Sequence, residues 1–182
     1  MMENETYSYL LGQYLGDGHV NKMNRTYKLR IFNDVKYVKL NDFIFKKLKE
    51  AFPKNKINSC FYQNHIITYV YSNKIPKLFP QHGKGLKNSR DVRLLKWQYD
   101  LLNYKYLFAG LLHSDGCIYI DRGYKMCIFS NTSNDILNLF TECCDKLNLR
   151  YTITKNHVNI RRRKEVSWIS ENIGDKKIIK LP

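Results

Sequence analysis

Two aspartates, Asp17 and Asp115, stand where a carboxylate is normally unfavourable. They close two similar apolar segments, YLLGQYLGDG (Tyr9–Gly18) and YLFAGLLHSDG (Tyr106–Gly116). The apolar runs, with small residues about four places apart, predict a helix in each segment. A helix C-terminus carries a partial negative charge, so an aspartate there calls for a cation beside it. An Asp-Gly pair can also end a helix as a simple turn. Its repetition in a basic chain, however, favours a role for the two aspartates in metal and phosphate binding.

The two carboxylates could bind a divalent metal ion together. Side by side they would repel each other and raise their pKa values unless a cation joined them. Mg²⁺ or Mn²⁺ suits such a site, because waters and phosphate oxygens can complete the coordination and support phosphodiester hydrolysis. Small residues would let the two helices approach closely. These predicted interface residues are Gly12, Gly16, Ala109, Gly110 and Ser114. We therefore predict that Asp17 and Asp115 are metal ligands and catalytic groups.

The charge balance favours a polyanionic partner. The chain of 182 residues has 31 Lys and Arg against 16 Asp and Glu, a net charge of +15. Double-stranded DNA is the first candidate for a protein this basic. An AT-rich genome, which favours Lys, Asn, Ile and Tyr codons, would also raise the charge and stays open as an alternative. The hydrophobic fraction of 43% is enough to build a folded core.

The cysteines and the N-terminus indicate an intracellular protein. Five cysteines without a CxxC pair argue against a zinc ribbon and against a secreted disulfide framework. No secretory signal begins the chain, and no apolar stretch approaches the length of a membrane span. We expect no membrane association.

The chain contains two copies of one unit. YKLRIFN (Tyr27–Asn33) and YKMCIFS (Tyr124–Ser130) match at Tyr, Lys, Ile and Phe with an offset of 97 residues, and an Asn-His turn follows in each half at Asn64 and Asn156. Such ordered matches indicate an internal duplication. The predicted divisions are an N-terminal half at 1–80, a linker with a connecting helix at 81–102, and a C-terminal half at 103–182.

Each copy is predicted to run helix, strand, strand, helix, strand, strand, helix, an α+β arrangement. The predicted helices cover 7–15, 35–52, 104–113, 135–147 and 165–172, with a short apolar turn at 75–79. The predicted strands lie in hairpins at 19–33 and 117–130 and at 57–63, 66–72, 151–155 and 158–162.

LLGQYLGDG (Leu10–Gly18) and FAGLLHSDG (Phe108–Gly116) resemble the two motifs of monomeric LAGLIDADG homing endonucleases. The first copy departs from the pattern at Gln13 and Leu15, whereas both copies keep the acidic eighth position. The resemblance implies two pseudo-symmetric αββαββα halves, each with a four-stranded antiparallel sheet, forming a saddle over duplex DNA. It also implies a monomer that uses divalent metal ions to cut both strands of a long site, leaves short 3′ overhangs and mobilises an intron or a free-standing element.

The resemblance also implies a basic residue near each active site. In the first half it falls in the loop GKGLKN, which makes Lys84 and Lys87 candidates for catalysis, with Lys87 preferred. The second half offers only Lys176 and Lys177 without a clear match, so the two sites are expected to differ.

Alternating residues in the predicted strands offer contacts for DNA. Lys28 and Arg30 alternate with apolar residues in YKLRIF, and the triplet Arg161–Arg163 places at least one guanidinium on an exposed face. Arg suits guanine, Asn and Gln suit adenine, and Lys suits phosphate. A solvated sheet face is the alternative for each position. The predicted DNA-binding residues are His19, Asn21, Lys28, Arg30, Asn58, Gln63, Thr68, Ser72, Lys125, Arg161 and Arg163.

Two other functions stay open at this point. A relative that keeps the saddle but has lost cleavage would act as an intron RNA maturase or a DNA-binding regulator. A basic structural protein would not need two Asp-Gly helices. Both aspartates are present, which favours the nuclease.

Overall fold

The structure is a computed structural model that describes residues 3–182. The first half contains α1 (Asn4–Asp17), β1 (Gly18–Lys22), β2 (Tyr27–Asp34), α2 (Val38–Ala51), β3 (Ile57–Tyr62), β4 (His65–Tyr71) and α3 (Ile75–Leu78). The second half contains α5 (Tyr104–Asp115), β5 (Gly116–Asp121), β6 (Tyr124–Ser130), α6 (Asn134–Lys146), β7 (Thr152–Thr154), β8 (His157–Ile160) and α7 (Arg163–Asn172). A 3₁₀ turn (Lys87–Ser89) and α4 (Lys96–Tyr99) lie between the halves. No helix in the described range is long and apolar enough to cross a membrane.

Each half forms one four-stranded antiparallel sheet. The strand orders are β1-β2-β4-β3 and β5-β6-β8-β7, so the two sheets have the same topology. Helices cover one face of each sheet, and the other face is open. The predicted α+β class with two pseudo-repeated halves is therefore confirmed.

The helix-covered faces are held by apolar residues at helical spacing. In α2, Leu40, Ile44 and Leu48 recur every four residues and are fully buried, as expected for an amphipathic helix on a sheet. In α6, the ring of Phe140 stacks on Phe129 of β6 with centroids 4.1 Å apart. These contacts fix which face of each sheet remains open.

The two halves meet along α1 and α5. These helices are buried on nearly all sides, and the contact between them is the most extensive between any two helices described. A Cβ atom at Gly12 would lie 2.7 Å from the backbone nitrogen of Leu111 and 2.8 Å from the carbonyl oxygen of Leu107. Gly110 packs equally closely on the backbone of Tyr9. Glycine is therefore required for this approach.

Equivalent residues of the two halves are 98 positions apart in the structure. The offset of 97 predicted from YKLRIFN and YKMCIFS is therefore wrong. Gly18 pairs with Ile31 in the first hairpin, and Gly116 pairs with Phe129 in the second. Side chains alternate between faces, so a slip of one residue moves each side chain to the opposite face. Lys28 lies on the open face of its sheet, whereas Lys125 shares the helix-covered face with Cys127.

The connection between the halves is mostly irregular. The sequence predicts a connecting helix within 81–102, but the α-helix found there is only the four residues Lys96–Tyr99. The amide of Gln98 accepts a hydrogen bond from the Leu95 backbone at 2.9 Å and donates one to the Tyr7 hydroxyl at 2.8 Å. These hydrogen bonds hold a turn against α1, which replaces the predicted helix.

Replacing Gly12 with alanine tests the close approach of the paired helices. Because the added methyl group would overlap the backbone of α5, we expect Gly12→Ala to lower the free energy of unfolding by about 3 kcal/mol. Urea denaturation would measure the change. The control is Lys46→Ala on the exposed side of α2, which should change stability by less than about 0.5 kcal/mol. Equal stability of the two variants would contradict the tight interface.

Candidate active site at the ends of the paired helices

Asp17 and Asp115 are the last residues of α1 and α5, and a glycine begins a strand directly after each. The paired helices bring these two ends together. A Cβ atom at Gly16 would lie 2.9 Å from Oδ2 of Asp115, and Gly16 also packs directly on the side chain of Ser114. The small residues predicted at these positions therefore lie where the two helix ends converge.

Both carboxylates are electrostatically unfavourable in the ionised state. Burial, together with the charge of Asp115, raises the pKa of Asp17 from 3.8 to about 7 even though Lys176 and Lys87 lower it. Burial also raises the pKa of Asp115, against the hydrogen bond from Asn131 and the same two lysines. The two ammonium groups therefore offset only part of the cost of ionising the two carboxylates.

Lys87 caps the carbonyl oxygens at the end of α1. Its Nζ atom donates hydrogen bonds to the carbonyl oxygens of Tyr14 at 2.7 Å and Gly16 at 2.6 Å. Burial lowers the pKa of Lys87 to about 8, although both aspartates favour its charged form. Arg90 holds the loop that carries Lys87, since its guanidinium donates to the carbonyl oxygens of Gln81 and Gly85.

Lys176 occupies the equivalent place in the second half. Its Nζ atom donates to the carbonyl oxygen of Ser114, and Ser114 corresponds to Gly16 at the offset of 98. The sequence does not reveal this match, because 62 residues separate Lys176 from Ser114 whereas 71 separate Lys87 from Gly16. Lys84 is exposed, and its side chain makes no hydrogen bond or ion pair with the described residues. Lys177 is also exposed.

Two clefts of unequal chemistry lie beside the two lysines. A cleft of about 330 Å³ beside Lys87 includes His19, Arg90, Asp115 and Asn131. The other, of about 240 Å³, lies beside Lys176 and is lined by Tyr37, Cys117 and Asp175, among others. The duplication therefore places a lysine in each cleft but not the same neighbours.

Asn131 is a site residue that the sequence analysis missed. Its Nδ2 atom donates a hydrogen bond to Oδ2 of Asp115 at 2.8 Å, which fixes the orientation of that carboxylate. Asn131 follows β6 directly, and its equivalent at the offset of 98 is Asn33. An asparagine at the same place in both halves was the available signal, but the incorrect offset of 97 concealed it.

A buried polar cluster joins the helices behind the carboxylates. The Tyr9 hydroxyl and Nδ1 of His113 are 3.2 Å apart, and Gln13 donates to the carbonyl oxygen of Gly110 at 3.1 Å. Burial lowers the pKa of His113 to about 4, so its ring is neutral at physiological pH. Gln13, one of the departures from the motif, thus links α1 to α5.

Five predicted DNA-binding residues lie together on the open face of the first sheet. His19 pairs with Arg30, and Asn21 pairs with Lys28, across β1 and β2. Asn58 of β3 shares this face through its partner Tyr69. The Lys28 ammonium lies 3.9 Å from the centroid of the Tyr69 ring. This face combines cations, amides and aromatic rings.

Three predictions for the first half need correction or reassignment. Thr68 is only 2% exposed, lies on the helix-covered face opposite Ile31 and shares a hydrogen bond with Ser59. Ser72 is 7% exposed. Gln63 lies in the turn between β3 and β4 with a φ of 53°. Thr68 and Ser72 therefore cannot contact a ligand on the open face.

The predicted basic residues of the second half also lie away from its open face. β8 ends at Ile160, so Arg161 and Arg163 follow the strand rather than belonging to it. Together with Lys125 they line a cleft of about 420 Å³ where β6 begins and β8 ends, beside α7. All three arginines of the triplet are exposed, as expected, but the strand predicted at 158–162 ends at Ile160.

The residues present suit a hard divalent cation. Among residues 3–182, no group of three or more His, Cys, Asp or Glu side chains could hold a metal ion alone. Two carboxylates with raised pKa values nevertheless call for added positive charge. Mg²⁺ takes few protein carboxylates and keeps waters or phosphate oxygens in its remaining positions, so Asp17 and Asp115 fit it.

Comparison with solved structures identifies the fold. I-DmoI in complex with DNA and Mn superposes with a TM-score of 0.67 at 18% identity, covering 91% of this chain and 94% of that one. I-WcaI bound to its DNA recognition sequence gives 0.62 at 14% identity, covering 100% and 89%. The LAGLIDADG meganuclease I-AabMI, bound to uncleaved DNA, gives 0.54 at 13% identity, covering 90% and 83%.

Paired helices that end in aspartates between two equivalent antiparallel sheets define a duplicated fold of the homing-endonuclease type. This chain has the LAGLIDADG fold. No protein-family model matches the sequence, and no curated protein matches it either. At these low identities the likeness shows the fold, and function has to be argued from the site.

The raised pKa of Asp17 predicts a stability effect with a definite sign. The folded state holds a proton on Asp17 up to about pH 7, whereas the unfolded chain releases it near 3.8. The Asp17 contribution to stability is therefore lost as pH rises from about 4 to 7. We expect Asp17→Asn to raise the free energy of unfolding of the metal-free protein at pH 8 by on the order of 4 kcal/mol.

Thermal unfolding at pH 5 and pH 8, with and without Mg²⁺, would measure this effect. The stability gain of Asp17→Asn should shrink at pH 5. Added Mg²⁺ should stabilise the unmodified chain at pH 8 more than the variant, because a ligand that binds only the folded state shifts the equilibrium. Equal Mg²⁺ stabilisation of both proteins would argue against Asp17 as a ligand.

Proposed function

We propose that this protein is a divalent-metal-dependent, sequence-specific DNA endonuclease that cuts both strands of a long site. The observation that carries the proposal is the pair of carboxylates, Asp17 and Asp115, held together at two adjacent helix ends with raised pKa values. That arrangement is costly for the folded protein and suited to metal-bound phosphate. The similar structures of I-DmoI and I-WcaI, which are bound to DNA, support the same substrate.

Double-stranded DNA is the proposed partner. The net charge of +15 favours a polyanion, and the open face of the first sheet offers side chains that can hydrogen-bond base edges in the major groove. His19, Asn21, Lys28, Arg30 and Asn58 are the proposed base-reading residues of that half. Lys125, Arg161 and Arg163 are proposed to contact phosphates from the cleft beside α7 in the other half, and Gln63 to contact the DNA backbone from its turn.

The proposed cofactor is Mg²⁺ or Mn²⁺, held by Asp17 and Asp115. When bound, the ion would lower the pKa of a water and offset charge on the phosphate. Lys87 and Lys176 would stabilise the negative charge that develops on phosphate oxygens in the two clefts. Asn131 would keep the Asp115 carboxylate in one orientation through its 2.8 Å hydrogen bond.

A single chain is proposed to contain both cutting centres. Lys87 and Lys176 occupy equivalent places at the ends of α1 and α5, so each strand of a duplex can meet one lysine without a second copy of the protein. We therefore propose a monomer that acts on DNA inside the cell. Short 3′ overhangs and a role in intron homing belong to the same proposal and come from the resemblance to homing endonucleases.

Cleavage of a randomised duplex library in Mg²⁺ tests the proposed function. The unmodified chain should enrich one long cut site, and EDTA, Asp17→Asn or Asp115→Asn should each abolish cutting. Both variants should still retain the same sequence in a binding assay. Retention of a long sequence without cutting by the unmodified chain would instead favour the DNA-binding or intron-RNA-binding alternative.

Lys87 and Lys84 provide a matched pair in one loop. Lys87→Met removes the buried ammonium beside the carboxylates, and we expect a loss of about 100-fold in the single-turnover cleavage rate. Lys84→Met removes an equal charge from the exposed part of the loop and should change that rate less than about twofold. Similar losses in both variants would show that the loop contributes only general positive charge.

A further inference from the structure

Four positions on the open face of each sheet correspond at the offset of 98. In the first half they are His19, Asn21, Lys28 and Arg30, which we name the first quartet. In the second half they are Cys117, Tyr119, Met126 and Ile128, which we name the second quartet. The pairing is the same in both: His19 is opposite Arg30 and Asn21 opposite Lys28, while Cys117 is opposite Ile128 and Tyr119 opposite Met126.

The two quartets differ in chemistry throughout. The first quartet has two cations, one imidazole and one amide. The second has a thiol, a thioether, an aliphatic side chain and a tyrosine, of which Cys117 and Tyr119 are exposed and Met126 and Ile128 partly exposed. Lys125 is the one Lys or Arg in strands β5 to β8, which the structure describes in full, and it lies on the opposite face.

We infer that the second quartet reads thymine methyl groups, so that the DNA target is chemically asymmetric. This inference rests on the proposed function. The 5-methyl group of thymine is the apolar feature of the major groove and is read by apolar side chains, whereas Arg reads guanine and Asn reads adenine. The half-site under the second sheet is therefore rich in A·T pairs, and the half-site under the first quartet contains guanine opposite Arg30.

The position of the second quartet favours DNA over a protein as its occupant. The second quartet occupies the same positions in its sheet as the first quartet does in the other sheet. Its residues follow Asp115 at the same spacing as those of the first quartet follow Asp17. The cleft with Lys125, Arg161 and Arg163 lies at the ends of the two central strands of the same sheet. Phosphate contacts from that end of the sheet would position a duplex, and the apolar side chains are left to contact bases.

Uracil in place of thymine tests the inference without altering the protein. Binding sites are first selected from a random duplex library in Ca²⁺. The selection is then repeated with Arg30→Ala, and the base position at which this variant loses its preference identifies the half-site under the first sheet. Thymine is then replaced with uracil in one half-site at a time. Uracil keeps every hydrogen-bonding group of thymine and removes only the methyl group.

We expect uracil in the half-site under the second sheet to weaken binding about threefold for each contacted methyl group. The same replacement in the other half-site should change affinity less than about twofold. Ile128→Ala removes the aliphatic side chain of the second quartet and should reduce the sensitivity to uracil in that half-site, while leaving the response to mutations in the other half-site unchanged.

The outcomes separate this inference from the proposed function. If no sequence is selected, specific DNA recognition fails and the proposed function fails with it. If a long site is selected but its second half is G·C-rich or insensitive to uracil, the assignment of the second quartet is overturned and the nuclease proposal stands.

Discussion

The close approach of α1 and α5 is the constraint on which the rest of the molecule depends. Gly12 and Gly110 allow the two backbones to meet without intervening side chains, and this contact joins two sheets that share no strand. Because the helices are aligned side by side, their C-termini emerge together. Two carboxylates are thereby brought close at a point that already carries the partial negative charge of two helix ends.

The protein accepts an electrostatic cost at this point and offsets it only in part. Lys87 and Lys176 donate to carbonyl oxygens at the ends of the two helices, yet the pKa of Asp17 remains raised. The nearby cluster of Tyr9, Gln13 and His113 supplies hydrogen bonds between the helices without adding charge, because the His113 ring is neutral. Closely packed helices therefore surround two carboxylates whose negative charge the lysines offset only in part. Such a site favours the binding of a cation.

Pseudo-symmetry in this fold does not extend to its surfaces. The strand orders, the aspartates and the capping lysines are repeated, while the two clefts and the two quartets differ in nearly every side chain. Backbone geometry is shared because the same helices and sheets must pack, whereas open faces are free to diverge. A single chain can thus present two different surfaces to the two halves of an asymmetric ligand, which an exact homodimer could not.

The sequence alone determined the duplicated α+β architecture, the small residues of the helix interface and the aspartates at the helix ends, since these depend on local periodicity and on spacing along the chain. Tertiary structure decided the rest. The exposed face of each strand depends on pairing register, and an error of one residue misplaced Lys125 relative to Lys28. The burial of Thr68 depends on which face the helices cover. Lys176 reaches the end of α5 through a stretch of chain that differs in length from the one that brings Lys87 to the end of α1. Asn131 meets Asp115 across 16 residues that include the hairpin of β5 and β6, so both contacts depend on tertiary structure.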